Sequence, residues 1–323
     1  MAGQFKKIFD QVEKYDSIVI FGHRNPDPDC YGSAVAMKAI LSAKYPDKKF
    51  YITGSGCHKF FKHLAPMDRV TDETIKKSLA FLVDMNDLER SEDTRIYNAP
   101  AWVKIDHHVD TGTFTEGPQL VIEDANSTCD IIVRMIQEYK LPVTPLIANA
   151  LYVGILTDSG RFQFVTDYVA TFERVAFLCK KGADPKLINK LLSITSEREL
   201  EIRSYVLSHY VRSRHGVLYI KFPKDVLHQL KLHANMASGL INLIGNVEGC
   251  PIWASFAEYD DGKVRVELRS NGPAVQPIAV SVGGGGHRNA AGATLPSFDD
   301  KIISELVAKL DEAAHEYKKG LKQ

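Results

Sequence analysis

The chain has 323 residues, more than one hydrophobic core usually holds, so two domains are expected. Hydrophobic residues make up 45% and charged residues 25%, the balance of an ordinary globular protein. Forty basic and forty acidic side chains cancel, which argues against a protein that grips long duplex nucleic acid through many phosphates.

Ser17-Ile-Val-Ile-Phe-Gly22 reads as a buried strand, and Ser33 to Ala43 follows with helical spacing. Lys49-Phe-Tyr-Ile-Thr53 is a second strand. Leu79-Ala-Phe-Leu-Val-Asp84 and Ala101-Trp-Val-Lys-Ile-Asp106 are apolar runs of the kind buried in parallel sheets. Helical segments follow near 127–140, 145–156 and 168–181. Strands alternating with helices predict a Rossmann-like α/β domain with a mostly parallel sheet over residues 1–185. Gly182-Ala-Asp-Pro185 breaks the pattern, and residues 186–196 read as a linker. Residues 197–323 then predict a smaller α+β domain. It starts with a helix at 197–209, short strands around 211–214 and 217–222, and helices near 224–230 and 236–245. Strands at 252–259 and 263–269 flank Asp260-Asp-Gly262, a good hairpin turn. A Gly-rich loop at 283–286 and an amphipathic helix at about 299–318 complete it.

The five cysteines, Cys30, Cys57, Cys129, Cys179 and Cys250, are widely spaced and include no C-x-x-C pair. That pattern offers neither a zinc knuckle nor a disulfide framework and suits a reducing cytosol. The opening MAGQFKKIFDQVEKYD lacks an apolar core of signal-peptide length, and no run of about 18 uncharged apolar residues occurs. The expectation is a cytoplasmic protein with no membrane contact; a homodimer is left open.

Four clusters carry chemistry, and each closes an apolar run. After the first strand comes His23-Arg-Asn-Pro-Asp27-Pro-Asp29-Cys-Tyr-Gly32-Ser33, with two carboxylates and an imidazole that can converge on a cation. Gly32-Ser33 is expected to open a helix whose N–H groups suit an anion. Asp84 ends the third strand, Asp106-His107-His108 the fourth, and Thr157-Asp158-Ser-Gly160-Arg161 a helical stretch. Each has an ordinary reading alone: a polar turn, a helix cap, a chance sequence, a helix C-terminus closed by Gly160. Asp87 is, however, the better placed cap for Leu88 onward, which frees Asp84. Four runs of one domain all ending in His and Asp are hard to obtain by chance. His23, Asp27, Asp29, Asp84, His107 and Asp158 would suffice for two cations sharing one carboxylate. Oxygen and imidazole donors without sulfur favour manganese, with magnesium or cobalt as substitutes.

The set H-x-x-x-D-x-D, D, D-H-H and T-D resembles the four motifs of the DHH phosphoesterase superfamily, in their order. Gly283-Gly-Gly-Gly-His-Arg-Asn-Ala-Ala-Gly-Ala293 looks like the substrate-binding motif of the DHH-associated (DHHA1) domain. The resemblance spans residues 16 to about 295, and within the superfamily it is most similar to the oligoribonuclease and pAp-phosphatase (nanoRNase) branch. Pro28 departs from that branch, which often has Gly there, and fixes the loop more tightly. The resemblance implies that His23 and Asp27 hold one metal, that Asp29, His107 and Asp158 hold the other, and that Asp84 bridges them. It implies that His108 faces the substrate phosphate, acting on the leaving group or on developing charge.

Four consecutive glycines are usually a flexible loop, yet His287-Arg288 and a small-residue stretch follow at once. Backbone without Cβ atoms lets N–H groups approach an anion, and no Gly-Lys-Ser/Thr of a P-loop is present. Arg269, Ser270, Gly285, Gly286 and His287 are therefore the candidate substrate contacts, with Arg161 as a further one. The implied activity, in a cleft between the domains, is hydrolysis of short oligoribonucleotides to nucleoside 5′-monophosphates, of pAp to AMP and phosphate, or both. Short single-stranded oligonucleotides or pAp would be the partners, and long duplexes would not. The rivals are a cyclic or linear dinucleotide phosphodiesterase, an inorganic pyrophosphatase or polyphosphatase, and a non-catalytic nucleotide-binding regulator. A pyrophosphatase should show a lysine-rich pocket in its second half, a membrane sensor should carry spans, and a regulator should have lost a ligand. None of these features is found in the sequence.

Overall fold

A computed structural model describes residues 3–54 and 65–321. Cys57 lies outside the described residues. The chain divides into two compact units, Met1–Ile194 and Thr195–Gln323.

The first unit runs α1 (Gln4–Val12), β1 (Ser17–Phe21), α2 (Pro28–Lys44), β2 (Lys49–Ile52), α3 (Asp72–Ile75), β3 (Leu79–Val83), β4 (Ala101–Asp106) and β5 (Gln119–Val121). It continues with α4 (Thr128–Tyr139), α5 (Pro145–Asp158), α6 (Tyr168–Lys180) and α7 (Pro185–Leu192). The strands form one parallel sheet in the order β2-β1-β3-β4-β5. Central β3 is buried at all five positions, which is why its sequence is continuously apolar rather than alternating. Phe21, Phe81 and Ile20 are fully buried, each contributing about 1.5–3 kcal/mol by leaving water.

Two local expectations are revised. Helix α2 begins at Pro28, not Ser33, because Asp27 caps it: its Oδ1 accepts from the N–H groups of Asp29 (2.9 Å) and Cys30 (3.0 Å), and Pro28 occupies the first turn. Gly32 and Ser33 therefore lie inside the helix, both buried, and offer no open N–H groups to an anion. Gly32 serves packing instead. A Cβ there would sit 2.2 Å from the Ala150 carbonyl oxygen, so its absence lets α2 lie directly on α5. The stretch 186–196 is also not an open connection. Asp184 caps α7, Pro185 starts it, and Ile188 is buried in the first core.

The second unit contains α8 (Glu197–His209), β6 (Val211–Arg212), β7 (Val217–Phe222), α9 (Lys224–Gln229), α10 (Ala234–Ser238), β8 (Ile252–Glu258) and β9 (Val264–Ser270). It ends with α11 (Gln276–Val280), β10 (Gly285–His287), β11 (Ala290–Leu295) and α12 (Asp300–Gly320). Its sheet has the order β10-β11-β9-β8-β7-β6, antiparallel except for β7 and β8. The burial of β9 alternates strictly, as a sheet with two unlike faces requires. Leu268, Ala291 and Ala293 pack on one side with Leu306 and Leu310 of α12. The hairpin falls at Asp260-Asp-Gly262, where Gly262 has φ 83°. The glycine run is only partly a loop: Gly285 and Gly286 are strand residues paired with Gly292 and Ala291.

Candidate metal centre

The carboxyl ends of β1, β3 and β4 and the C-terminus of α5 deliver His23, Asp84, His107 and Asp158 to one place. That is where a parallel sheet leaves room for a ligand. Donor atoms of Asp29, His107 and Asp158 lie within 4.8 Å of one another, as do those of Asp84, His107 and His108, and of His23, Cys30 and Asp84. Asp84 is common to two of the sets. His23 Nε2 is 3.5 Å from Asp84 Oδ2 and 3.8 Å from Asp27 Oδ2; His107 Nε2 is 3.5 Å from Asp84 Oδ1 and 3.2 Å from Asp158 Oδ2. All six residues expected as ligands are thus neighbours.

The surroundings aim these groups. Asp84 sits at φ 59°, a left-handed conformation that turns the chain sharply off β3, and Thr128 Oγ1 donates to its Oδ1 at 3.1 Å. Asp29 is almost fully buried, and its two oxygens accept from Thr128 N (2.7 Å) and Cys129 N (2.9 Å), the positive end of α4. His23 Nδ1 lies 2.9 Å from the Arg24 carbonyl oxygen, so it carries the proton and leaves Nε2 as the free donor. His108 differs from His107: its Nδ1 is 2.8 Å from Asp106 Oδ1. That nitrogen is committed to Asp106 although it also lies 3.7 Å from Asp84. Cys30 is the weaker candidate in its set. Its Sγ accepts from His23 N at 3.3 Å, and burial, reinforced by Asp84, holds its thiol well above the usual range.

The electrostatics call for a cation. Burial pushes Asp29 well up, and the charges of Asp84 and Asp158 push further. Asp158, with 28% of its side chain exposed, is raised to about 6 by burial first and by Asp84 and Asp27 next. Burial also acts on Asp84, but the His23 hydrogen bond and the charges of His107 and His108 hold it below the usual value. Among the described residues, no lysine or arginine pairs with Asp29, Asp84 or Asp158. Crowded carboxylates without a countercharge, beside imidazole nitrogens with free lone pairs, fit a divalent metal in both donor type and charge.

A model described as "DHH family, N-terminal domain" matches residues 17–155, and one described as "DHHA1 domain" matches residues 216–319. The protein is 31% identical to the bifunctional oligoribonuclease and PAP phosphatase NrnA of Mycoplasma genitalium, over 95% of this chain and 96% of that one. The chain belongs to the DHH family. The protein of the same name from Bacillus subtilis is 30% identical over 91% of this chain and 95% of its own. An exopolyphosphatase-related protein from Bacteroides fragilis has the same fold, with a TM-score of 0.80 at 22% identity, covering 100% of this chain and 98% of that chain. The α/β DHH unit and the mixed DHHA1 unit are those of this family. DHH phosphoesterases depend on metal, and the clustered His and Asp residues are those that could hold it.

Outside the cluster, the remaining candidates fare differently. Arg161 lies in a run of three left-handed residues, Gly160 to Phe162, is exposed, and reaches Asn189 Oδ1 of α7 at 3.5 Å. In the second unit, the hydroxyl of Ser270 donates to Pro273 O (2.6 Å) and accepts from Asn289 (2.8 Å), so it pins the β10–β11 turn. Arg269 donates to Glu267 Oε2 at 2.9 Å. The N–H groups of Gly283 and Gly284 are taken by the carbonyls of Val280 (3.0 Å) and Ala279 (2.9 Å), and Gly286, at φ 131°, lets β10 lie close on β11.

The sequence alone does not single out Asp106, Thr128, Arg24 or Arg90. Asp106 was visible as a strand end but not as the partner of His108, since that contact needs the local turn. Thr128 falls in the stretch near 127–140, which reads only as helical. Nothing in the spacing marked Arg24 or Arg90.

Proposed function

We propose that this DHH-family protein is a divalent-metal-dependent phosphoesterase that acts on short oligoribonucleotides and on 3′-phosphoadenosine 5′-phosphate (pAp), releasing nucleoside 5′-monophosphates. The observation that carries the reading is the convergence of six metal-type donors beside His108, an imidazole held by a carboxylate. Relatives matched over nearly their full length bear a name with the same two activities, which supports the substrate class.

In this reading His23 and Asp27 would hold one ion and Asp29, His107 and Asp158 the other, with Asp84 serving both. Asp27 can cap α2 through Oδ1 and still offer Oδ2. Manganese, or magnesium or cobalt in its place, would there supply a water of lowered pKa and charge to neutralise phosphoryl oxygens. Our reading gives His108 the leaving group. Asp106 fixes the tautomer with the proton on Nδ1 and favours the imidazolium, so Nε2–H can be given up to the departing oxygen. Water adds its oxygen to phosphorus, the bond from phosphorus to the 3′-oxygen breaks, and that oxygen takes a proton. With pAp the products are AMP and phosphate, and with a 5′-phosphorylated dinucleotide two nucleoside 5′-monophosphates. In both, the group that leaves is the 3′-oxygen of a 5′-phosphorylated nucleoside, so one site suffices.

On the second unit we assign phosphate contacts to Arg269 and His287. Register pairs Arg269 with Ala290 and Ala290 with His287, so both side chains rise from one face of the sheet, two strands apart. A net charge of zero suits a short substrate better than a long nucleic-acid track. Chromatography of the products from 5′-phosphorylated ApA tests this chemistry: only 5′-AMP is expected, and 3′-AMP or a cyclic product would refute the assigned bond.

A further inference from the structure

A hollow of about 360 Å³ lies beside the metal centre of the first unit, lined by His23, Arg24, Asp87, Glu89 and Arg90. Its size is at the small end of ligand cavities and suits a nucleoside-sized group. One wall is His23, whose Nε2 faces Asp84 at 3.5 Å, so the hollow adjoins the reacting bond. Resting on the reading above, we propose that Arg24 and Arg90 bind the 5′-phosphate of the leaving nucleotide in this hollow.

The backbone under both arginines is fixed. Arg24 N donates to Arg90 O at 2.9 Å, His23 forms a bridge with Ser91, and Glu92 N donates to Gly22 O at 3.1 Å. Asp87 Oδ1 is committed as a cap to Arg90 N at 3.2 Å. The guanidinium charges, by contrast, are not neutralised. Arg24 donates to the backbone oxygen of Glu89, and among the described residues neither arginine is ion-paired. Nearby Arg95 shows what a structural arginine looks like here: Asp93 holds it at 2.7 Å and Asp72 at 2.9 Å.

The occupant follows from the chemistry. pAp and a 5′-phosphorylated dinucleotide share a leaving nucleoside whose only charge away from the reacting bond is its 5′-phosphate. A guanidinium fork matches phosphate oxygens in pairs. Asp87 and Glu89 on the same wall make the hollow near neutral overall, and they accept from ribose hydroxyls. That combination fits a sugar phosphate better than a polyphosphate chain.

The test compares pAp with adenosine 3′-monophosphate, which has the same scissile bond and lacks only the 5′-phosphate. Wild-type enzyme should prefer pAp in kcat/KM, and Arg90→Ala should lower that preference about tenfold, the worth of one charge-assisted contact of about 1.4 kcal/mol. Arg24→Ala/Arg90→Ala should lower it further, with bound metal unchanged. A preference that Arg90→Ala leaves intact overturns the proposal. If wild-type enzyme cleaves bis(p-nitrophenyl) phosphate but neither nucleotide, the substrate reading has failed instead. The subsite is then judged by inhibition: Arg90→Ala should weaken pAp about tenfold against that reporter and adenosine 3′-monophosphate hardly at all, and equal weakening overturns it.

Discussion

Asp106 Oδ1 lies 2.8 Å from His108 Nδ1 and also accepts the backbone N–H groups of His107 (2.9 Å) and His108 (3.2 Å). One oxygen thereby sets both the turn after β4 and the tautomer of His108, while Oδ2 is buried and, among the described residues, without a partner. The hydrogen bond to Asp106 is the largest cause that raises His108 above the ordinary imidazole value. A raised value keeps the donor form to higher pH, and activity that needs it is lost as pH rises through that value. Asp106→Asn keeps an acceptor but removes the charge. Its turnover should fall about tenfold or more, and the alkaline limb of its kcat–pH profile should move to lower pH. An unmoved limb would show that His108 is not the proton donor.

The two adjacent histidines should separate. His107→Ala removes a group that faces Asp84 and Asp158, so it should lower the bound metal measured by elemental analysis. His108→Ala should keep the metal and lose turnover by about 10²-fold or more. Equal metal loss in both would contradict the division.

Asp84→Asn probes the shared ligand without disturbing the backbone, because Asn tolerates the left-handed conformation at φ 59°. It should fold as the wild type does, bind both ions more weakly and lose nearly all activity. Two tightly bound ions with near-normal turnover would place the bridge elsewhere.

In metal-free protein, Asp158 is raised to about 6, whereas an unfolded aspartate titrates near about 3.9. The folded state then holds more protons than the unfolded state between these values. The contribution of Asp158 is most favourable at low pH and is lost as pH rises through about 6. Removing the charge should therefore help. Metal-free Asp158→Asn should melt about 2–4 °C above wild type at pH 8 and nearly with it at pH 4.5, while its activity is lost. A lower melting temperature at pH 8 would mean that the carboxylate is stabilising as it stands.

Packing reaches into the site through Gly154, where a Cβ would sit 2.3 Å from Cys129 Sγ and 2.7 Å from Asp29 Oδ1. Gly154→Ala should cost about 1–3 kcal/mol by overpacking and reduce bound metal by displacing Asp29. Gly320→Ala, with nothing within 4 Å of its Cβ, is the control and should do neither.

The parallel sheet was legible because buried strands such as Leu79–Val83 are apolar without interruption, and the clustering of the candidate ligands because they follow such runs at strand or helix ends. Asp27 was only half legible. Its role as a possible ligand followed from its motif, but its cap on α2 was hidden by the Asp-Pro-Asp turn, which shifted the expected helix start to Ser33. What distant segments decide was not legible. Asp29 takes the N-terminus of α4, about a hundred residues away, and Gly32 is needed only because α5 crosses there. The strand pairing of the glycine run was hidden for a local reason: small residues suit an open loop and a close strand pair alike, and here Gly286 lies against Ala291.

The most direct measurement is a side-by-side comparison of kcat/KM for pAp, a 5′-phosphorylated dinucleotide, a cyclic dinucleotide and pyrophosphate, with manganese and with a chelator. The account predicts that pAp and the linear dinucleotide are cleaved fastest, to nucleoside 5′-monophosphates, and that the chelator abolishes turnover of both. Pyrophosphate or the cyclic dinucleotide as the best substrate, or hydrolysis that persists without metal, would contradict it.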